Sequence, residues 1–207
     1  MDRVIFIGLS SAHDSFIITL SSIYRKKLDI IEYILCFISK LVRVMPFTPF
    51  HLGPGLFVAM LLFPLIDVVV ILIASVIVDV EPAYYLFTHG YVYHGFLHSF
   101  VGCSIVAVML SLIAYPLRRV YLKILETFGL RQKTSFRKIL ISSLVGTNLH
   151  VLLDGFLYPE MNPFYPISGN PLLNMLSEAT VYLICIITFI LGAIIYVARL
   201  IKSESKE

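Results

Sequence analysis

The chain has 207 residues, of which 58% are hydrophobic and only 14% charged, with a formal net charge of +3 and a mean hydropathy of +0.90. That balance excludes an ordinary soluble globular domain and places the chain among integral membrane proteins. It offers no basic surface for nucleic acid, and Cys36, Cys103 and Cys185 stand singly without CxxC spacing, which argues against disulfides and thiolate metal sites.

Residues 4–24 form an apolar run interrupted by His13 and Asp14 and followed by Arg25, Lys26 and Lys27; a mixed stretch continues to Val44. This opening reads as a signal-like segment or an extra span. Met45 begins a more purposeful sequence, MPFTPFHLGPGL. Residues 1–44 therefore read as an N-terminal extension and residues 45–207 as the membrane-embedded core.

Residues 52–78 are apolar apart from Asp67, with Pro64 in their middle. One straight helix of that length exceeds the roughly 20 residues a bilayer requires. The alternative is a hairpin of two short helices, 52–63 and 66–79, broken at Pro64 and with Asp67 in the first turn of the second, where a carboxylate suits the helix dipole. The two differ sharply: a straight helix holds His51 and Asp79 about 40 Å apart, whereas a hairpin returns both to one surface. The hairpin is the expected form.

Residues 80–95 read as an aromatic connection without lysine or arginine, with Tyr84, Tyr85, Tyr91 and Tyr93 suited to a membrane interface. A span is expected from Phe96 to Leu117, then a basic segment holding Arg118, Arg119, Lys123, Arg131, Lys133, Arg137 and Lys138. Residues 139–157 cross back, the loop 158–177 again lacks lysine and arginine, and residues 179–201 form the last span. The expected architecture is an all-α, polytopic membrane bundle of four to five membrane helices including a short helical hairpin. The positive-inside rule places the basic segment in the cytoplasm and the loops 80–95 and 158–177 on the opposite face of the cell membrane. Lys40 and Arg43 then lie on the wrong side, a conflict that vanishes if the working protein starts at Met45.

Within this frame, ionisable residues gather at one end. His150 and Asp154 are four apart in an apolar helical run, so they share a face, and His94 and His98 repeat that spacing at the mouth of another. With His51 and Asp79 they make six groups able to ligate a metal at the non-cytoplasmic ends of the helices. A single histidine on an apolar face is more often a packed residue than a ligand, and Asp79 on its own could merely end a helix. Ionisable residues inside membrane segments are nonetheless rare and functional by default. A mixed imidazole and carboxylate set suits zinc, with manganese or iron as alternatives. Six candidates exceed one tetrahedral site, so they imply either two metals or groups that orient the ligands. Glu81 is the spare carboxylate for a general base, and His89 reads as a loop residue.

These motifs resemble the membrane-bound metal-dependent hydrolase family, inner-membrane proteins that include members under LexA control. The resemblance covers roughly residues 45–200. It is carried by His51 after a start-like methionine, by Asp79 and Glu81 in VDVEP, by His94, His98 and Ser99 in HGFLHS, and by His150 and Asp154 in HVLLD before PFYP. It departs at the acidic element, where valine stands in place of a further aspartate, which leaves open whether Asp79 or Glu81 is the ligand. Residues 1–44 have no counterpart. The family is distantly similar to zinc-dependent phospholipase C and single-strand-specific zinc nucleases, which implies an all-helical metal site and phosphoester chemistry, with a lipid or other phosphoester as substrate; Asp79 and Glu81 are the candidate catalytic carboxylates. The alternative is a membrane metal-binding or transport protein. A transporter should show internal repeats, and this chain has none.

Overall fold

The computed structural model describes residues 49–204 together with Arg25. The expectations for residues 1–44 otherwise lie outside the described residues. What is described is all-helical.

Helix α1, Leu52–Leu61, and helix α2, Val68–Ala74, form the expected hairpin. The chain turns at 62–67 around Pro64, and Asp67 caps α2 by accepting a hydrogen bond from the Val70 amide at 3.2 Å. The α2 sequence VVVILIA is rich in β-branched residues, which are mediocre helix formers. Packing holds it instead, because Val68, Val70, Ile71 and Ala74 are all buried. Gly146 brings the next layer close: a Cβ there would lie 2.6 Å from that of Ala74 and 2.9 Å from the Ile71 carbonyl oxygen.

The hairpin turn leaves backbone carbonyls that an apolar surrounding cannot solvate. Side chains from distant segments meet them. Gln132 Nε2 donates to the carbonyls of Phe63 (2.8 Å) and Ile66 (2.6 Å). Lys138 Nζ donates to Phe63, and Arg199 donates to Met60 at 3.0 Å. Buried Asp67 also accepts from Tyr121 Oη at 3.1 Å, while its amide donates to Ser142 Oγ at 2.7 Å.

After α2 a turn at Ser75 leads into a 3-10 turn, Ile77–Asp79, and then helix α3, Val80–His89. This corrects the reading of residues 80–95 as a connection throughout: its first ten residues are helical, ending at Gly90 in the left-handed conformation (φ 76°). A second 3-10 turn, Phe96–His98, precedes helix α4, Phe100–Thr127, which Ser99 caps through the Gly102 amide. The span expected from Phe96 therefore starts later and runs further. Helix α5, Phe136–Gly155, returns, and helix α6, Glu178–Glu204, packs along α1.

Three helical stretches among the described residues are long and apolar enough to cross a membrane: Val68–His89, Phe100–Thr127 and Glu178–Lys202. The outward faces of α4 and α6 expose Ile105, Met109, Leu112, Ile187, Ile190 and Ile194. Contiguous apolar surface of that kind belongs against lipid. Helix α5 is different in character, since Ser142, Ser143, Thr147, His150 and Asp154 are buried along it, making it the polar spine of the bundle.

Candidate metal centre

Five of the expected groups meet at the end of the bundle opposite the hairpin turn. His51 immediately precedes α1, Asp79 ends the first 3-10 turn, His98 ends the second, and His150 and Asp154 occupy the last turns of α5. None is more than 8% exposed. Each 3-10 turn ends where α5 presents His150 and Asp154.

His150 Nε2 lies 3.0 Å from Asp154 Oδ2 and 3.2 Å from Asp79 Oδ1. His98 Nε2 lies 3.7 Å from the same two oxygens. One ligand atom from each of Asp79, His98, His150 and Asp154 falls within 4.8 Å of all the others, so the four could hold a metal ion. The His51 ring stacks over that of His150 at 4.0 Å, and its Nε2 is 3.0 Å from Asp154 Oδ1. The hairpin thus brings His51 into the cluster.

The hydrogen-bond pattern tests whether these residues fit a cation. His150 Nδ1 lies 2.7 Å from the Ser75 carbonyl oxygen. A carbonyl only accepts, so Nδ1 donates and Nε2 is the nitrogen turned to the cluster. His98 Nδ1 meets Glu81 Oε2 at 3.0 Å, with the same consequence. Neither Nε2 atom, nor Asp79 Oδ2, has a hydrogen-bond partner, although all are buried. Buried polar atoms converging on one point without hydrogen bonds are costly unless a positive charge, a metal ion or a ring proton, sits among them. Histidines whose far nitrogen is anchored on a carbonyl or carboxylate are the usual arrangement around a bound metal.

Glu81 and His94 take positions other than those anticipated. Glu81 stands behind His98: Oε2 takes the His98 ring and the Gly95 amide, and Oε1 the Leu97 amide at 3.2 Å. With both oxygens engaged it backs the His98 ring, and Asp79 is the carboxylate that lies within the cluster. His94 stands beside the set. Its Nδ1 is 2.8 Å from Glu160 Oε1, its ring stacks on Tyr158 at 3.8 Å and meets His98 edge-on at 4.8 Å. That hydrogen bond holds the Glu160 carboxyl below its usual value, against the smaller opposing effect of burial. His89 is exposed, hydrogen-bonded to Thr88.

Sequence reasoning missed Ser75, Tyr158 and Glu160. The Ser75 carbonyl has no side-chain signature, but it is the free carbonyl of a helix end, a group that must find a donor. Glu160 is the one charged residue in the loop 158–177, and that isolation was the available signal. The chain matches no known family, no characterised protein and no solved structure.

Proposed function

We propose that this chain is a membrane-bound metal-dependent hydrolase acting on a lipid or other phosphoester. The observation that carries the reading is the convergence of Asp79, His98, His150 and Asp154 on one buried point, with both histidines already turned to present Nε2. The motif resemblance supports it. Nitrogen and carboxylate donors in this ratio suit zinc, with manganese or iron as alternatives.

A divalent cation in this set supplies Lewis acidity and brings the pKa of a bound water toward neutrality. The chain does the rest. Ser75 and Glu81 fix the two imidazoles, and the two oxygens of Asp154 face different rings, Oδ1 at 3.0 Å from His51 Nε2 and Oδ2 at 3.0 Å from His150 Nε2. Asp79 Oδ2, buried and without a partner, is the atom placed to take a proton from the attacking water. The water oxygen bonds to phosphorus as the ester P–O bond breaks. The proton passes through Asp79 to the departing alcohol oxygen. The lysine- and arginine-free loops beside the centre support a place on the non-cytoplasmic face.

Metal analysis of protein purified without chelators, combined with turnover of a phospholipid and phosphodiester panel, tests this. The expected result is one or more equivalents of a divalent ion, lost in His150→Ala and Asp154→Ala, with hydrolysis lost alongside. Wild-type protein free of metal would sink the reading. Metal flux into proteoliposomes without hydrolysis would replace it with transport.

A further inference from the structure

Six candidate ligands in one sequence invite a pair of ions, and the side-chain geometry distributes them unequally. Two catalytic ions sit about 3.5–4 Å apart and draw on two donor sets, and a catalytic zinc is ordinarily held by three protein ligands. Among the described residues, one set of three or more histidine, cysteine and acidic side chains comes together, that of Asp79, His98, His150 and Asp154. The other candidates at this end of the bundle are committed elsewhere. Glu81 has one oxygen on the His98 ring and the Gly95 amide and the other on the Leu97 amide. His94 has Nδ1 on Glu160 and its ring flat against Tyr158. Cys103 and Cys185 are packed among apolar side chains.

His51 is the remaining donor, and it meets the set at one atom. Its Nε2 lies 3.0 Å from Asp154 Oδ1, whereas Asp154 Oδ2 lies 3.0 Å from His150 Nε2 and 3.7 Å from His98 Nε2. The carboxylate therefore has two sides: Oδ2 belongs with the imidazoles of the four-donor set, and Oδ1 faces His51. His51 and Oδ1 together make two protein donors, one short of what a catalytic ion ordinarily requires. The His51 ring is also fixed in place. It stacks on the His150 ring at 4.0 Å with an interplanar angle of 31°. Two residues on, Gly53 lies against the Cys185 carbonyl so closely that no Cβ fits, which ties the start of α1 to α6.

We infer that the centre takes a single divalent ion, and that His51 is a positioning residue that faces one oxygen of Asp154 and leaves the other for the ion. This rests on the metal centre within the hydrolase reading and fixes how many ions that centre holds. It also constrains the chemistry. A two-ion clamp steadies the attacking and the leaving oxygen at once, whereas a single ion that activates the water leaves the departing oxygen to be protonated by the chain's own groups.

Full-length protein in detergent, stripped of metal and titrated with Mn2+, reads the count without turnover. Wild type is expected to bind one equivalent per chain, with the bound ion giving the electron paramagnetic resonance spectrum of an isolated Mn2+ up to saturation. His51→Gln should still reach one equivalent, with affinity weakened about 10- to 100-fold. Two equivalents in wild type falling to one in His51→Gln, or an exchange-coupled spectrum, would give His51 an ion of its own and overturn the inference while leaving the hydrolase reading intact. A His51→Gln protein of unchanged helix content that retains no ion at saturation would make His51 a ligand, and one with wild-type affinity would remove its positioning role; either result overturns the assignment. If that variant does not fold, the wild-type count and spectrum decide the number of ions alone. One ion without hydrolysis of any ester overturns the hydrolase reading and leaves the count standing, and wild type that takes up no ion overturns both.

Discussion

The carbonyl of Ser75 receives the ring of His150 at 2.7 Å, so the end of one helix decides which nitrogen of a histidine on another faces the cluster. Glu81 does the same for His98. The two kinds of residue should separate in binding experiments. His150→Ala and Asp79→Ala remove a donor and should abolish metal retention through purification. Glu81→Gln leaves the donor in place but loosens it, and should weaken affinity about 10- to 100-fold with the ion still bound at saturation. Competition against a chromophoric chelator measures both; equal losses in Glu81→Gln and His150→Ala would make Glu81 a ligand.

Gly146 is where α5 touches the backbone of α2, and the atoms in the way of a Cβ belong to Ala74 and the Ile71 carbonyl, neither of which can rotate aside. Gly146→Ala should therefore push the two helices apart, at a cost of about 1–3 kcal/mol. Because Ser75 and His150 lie on those helices within one turn of the contact, metal affinity should fall together with the thermal midpoint in detergent. A variant as stable and as metal-replete as wild type would show that the helices can slide.

The hairpin turn gives a contrasting case. Asp67→Ala removes both the cap on α2 and the acceptor of Tyr121, and should cost about 1–3 kcal/mol, whereas Asp67→Asn keeps an acceptor and should cost less. Ser142, beside Asp67, is about 18 Å along α5 from Asp154, so metal content at low temperature should be unchanged in both. Thermal unfolding with metal analysis distinguishes this from a change at the centre itself.

Glu160 supplies a pH dependence. Its carboxyl is held below the ordinary value chiefly by the hydrogen bond to His94, so the folded state prefers the ionised form. The stabilisation is therefore fully present above the ordinary carboxylate pKa and is lost as pH falls through the lower folded value. Amide exchange in residues 158–162 should stay slow from neutral pH down to about pH 5 and quicken only below the usual carboxylate range. Glu160→Gln should be fast at every pH. Protection that declines already between pH 7 and 6 would assign the contact to another titrating group.

Much of the architecture could be read from local chemistry. Pro64 and Asp67 mark the hairpin because one removes a helix donor and the other caps a new helix, and the placement of His51 followed from that alone. His150 and Asp154 were visible through helical periodicity. Helix α3 escaped because its aromatic residues look like an interface loop, although His89-Gly90 is the ordinary end of a helix and could have shown it. The roles of Glu81 and His94 were not legible, since they depend on which neighbour lies within 3 Å. Ser99 offered a cap signal that would have moved the start of α4 to its observed place.

The ties on the hairpin turn have a consequence for biogenesis. Met60 is held by Arg199, and Phe63 by Gln132 and Lys138, so the first helix pair of this core is secured by segments made much later. A nascent chain that has exposed only residues up to about 130 holds His51, Asp79 and His98 with neither their α5 partners nor the clamps that keep the hairpin shut. The four residues of the candidate centre therefore cannot come together until α5 has been made, and the last clamp on the hairpin arrives only with Arg199.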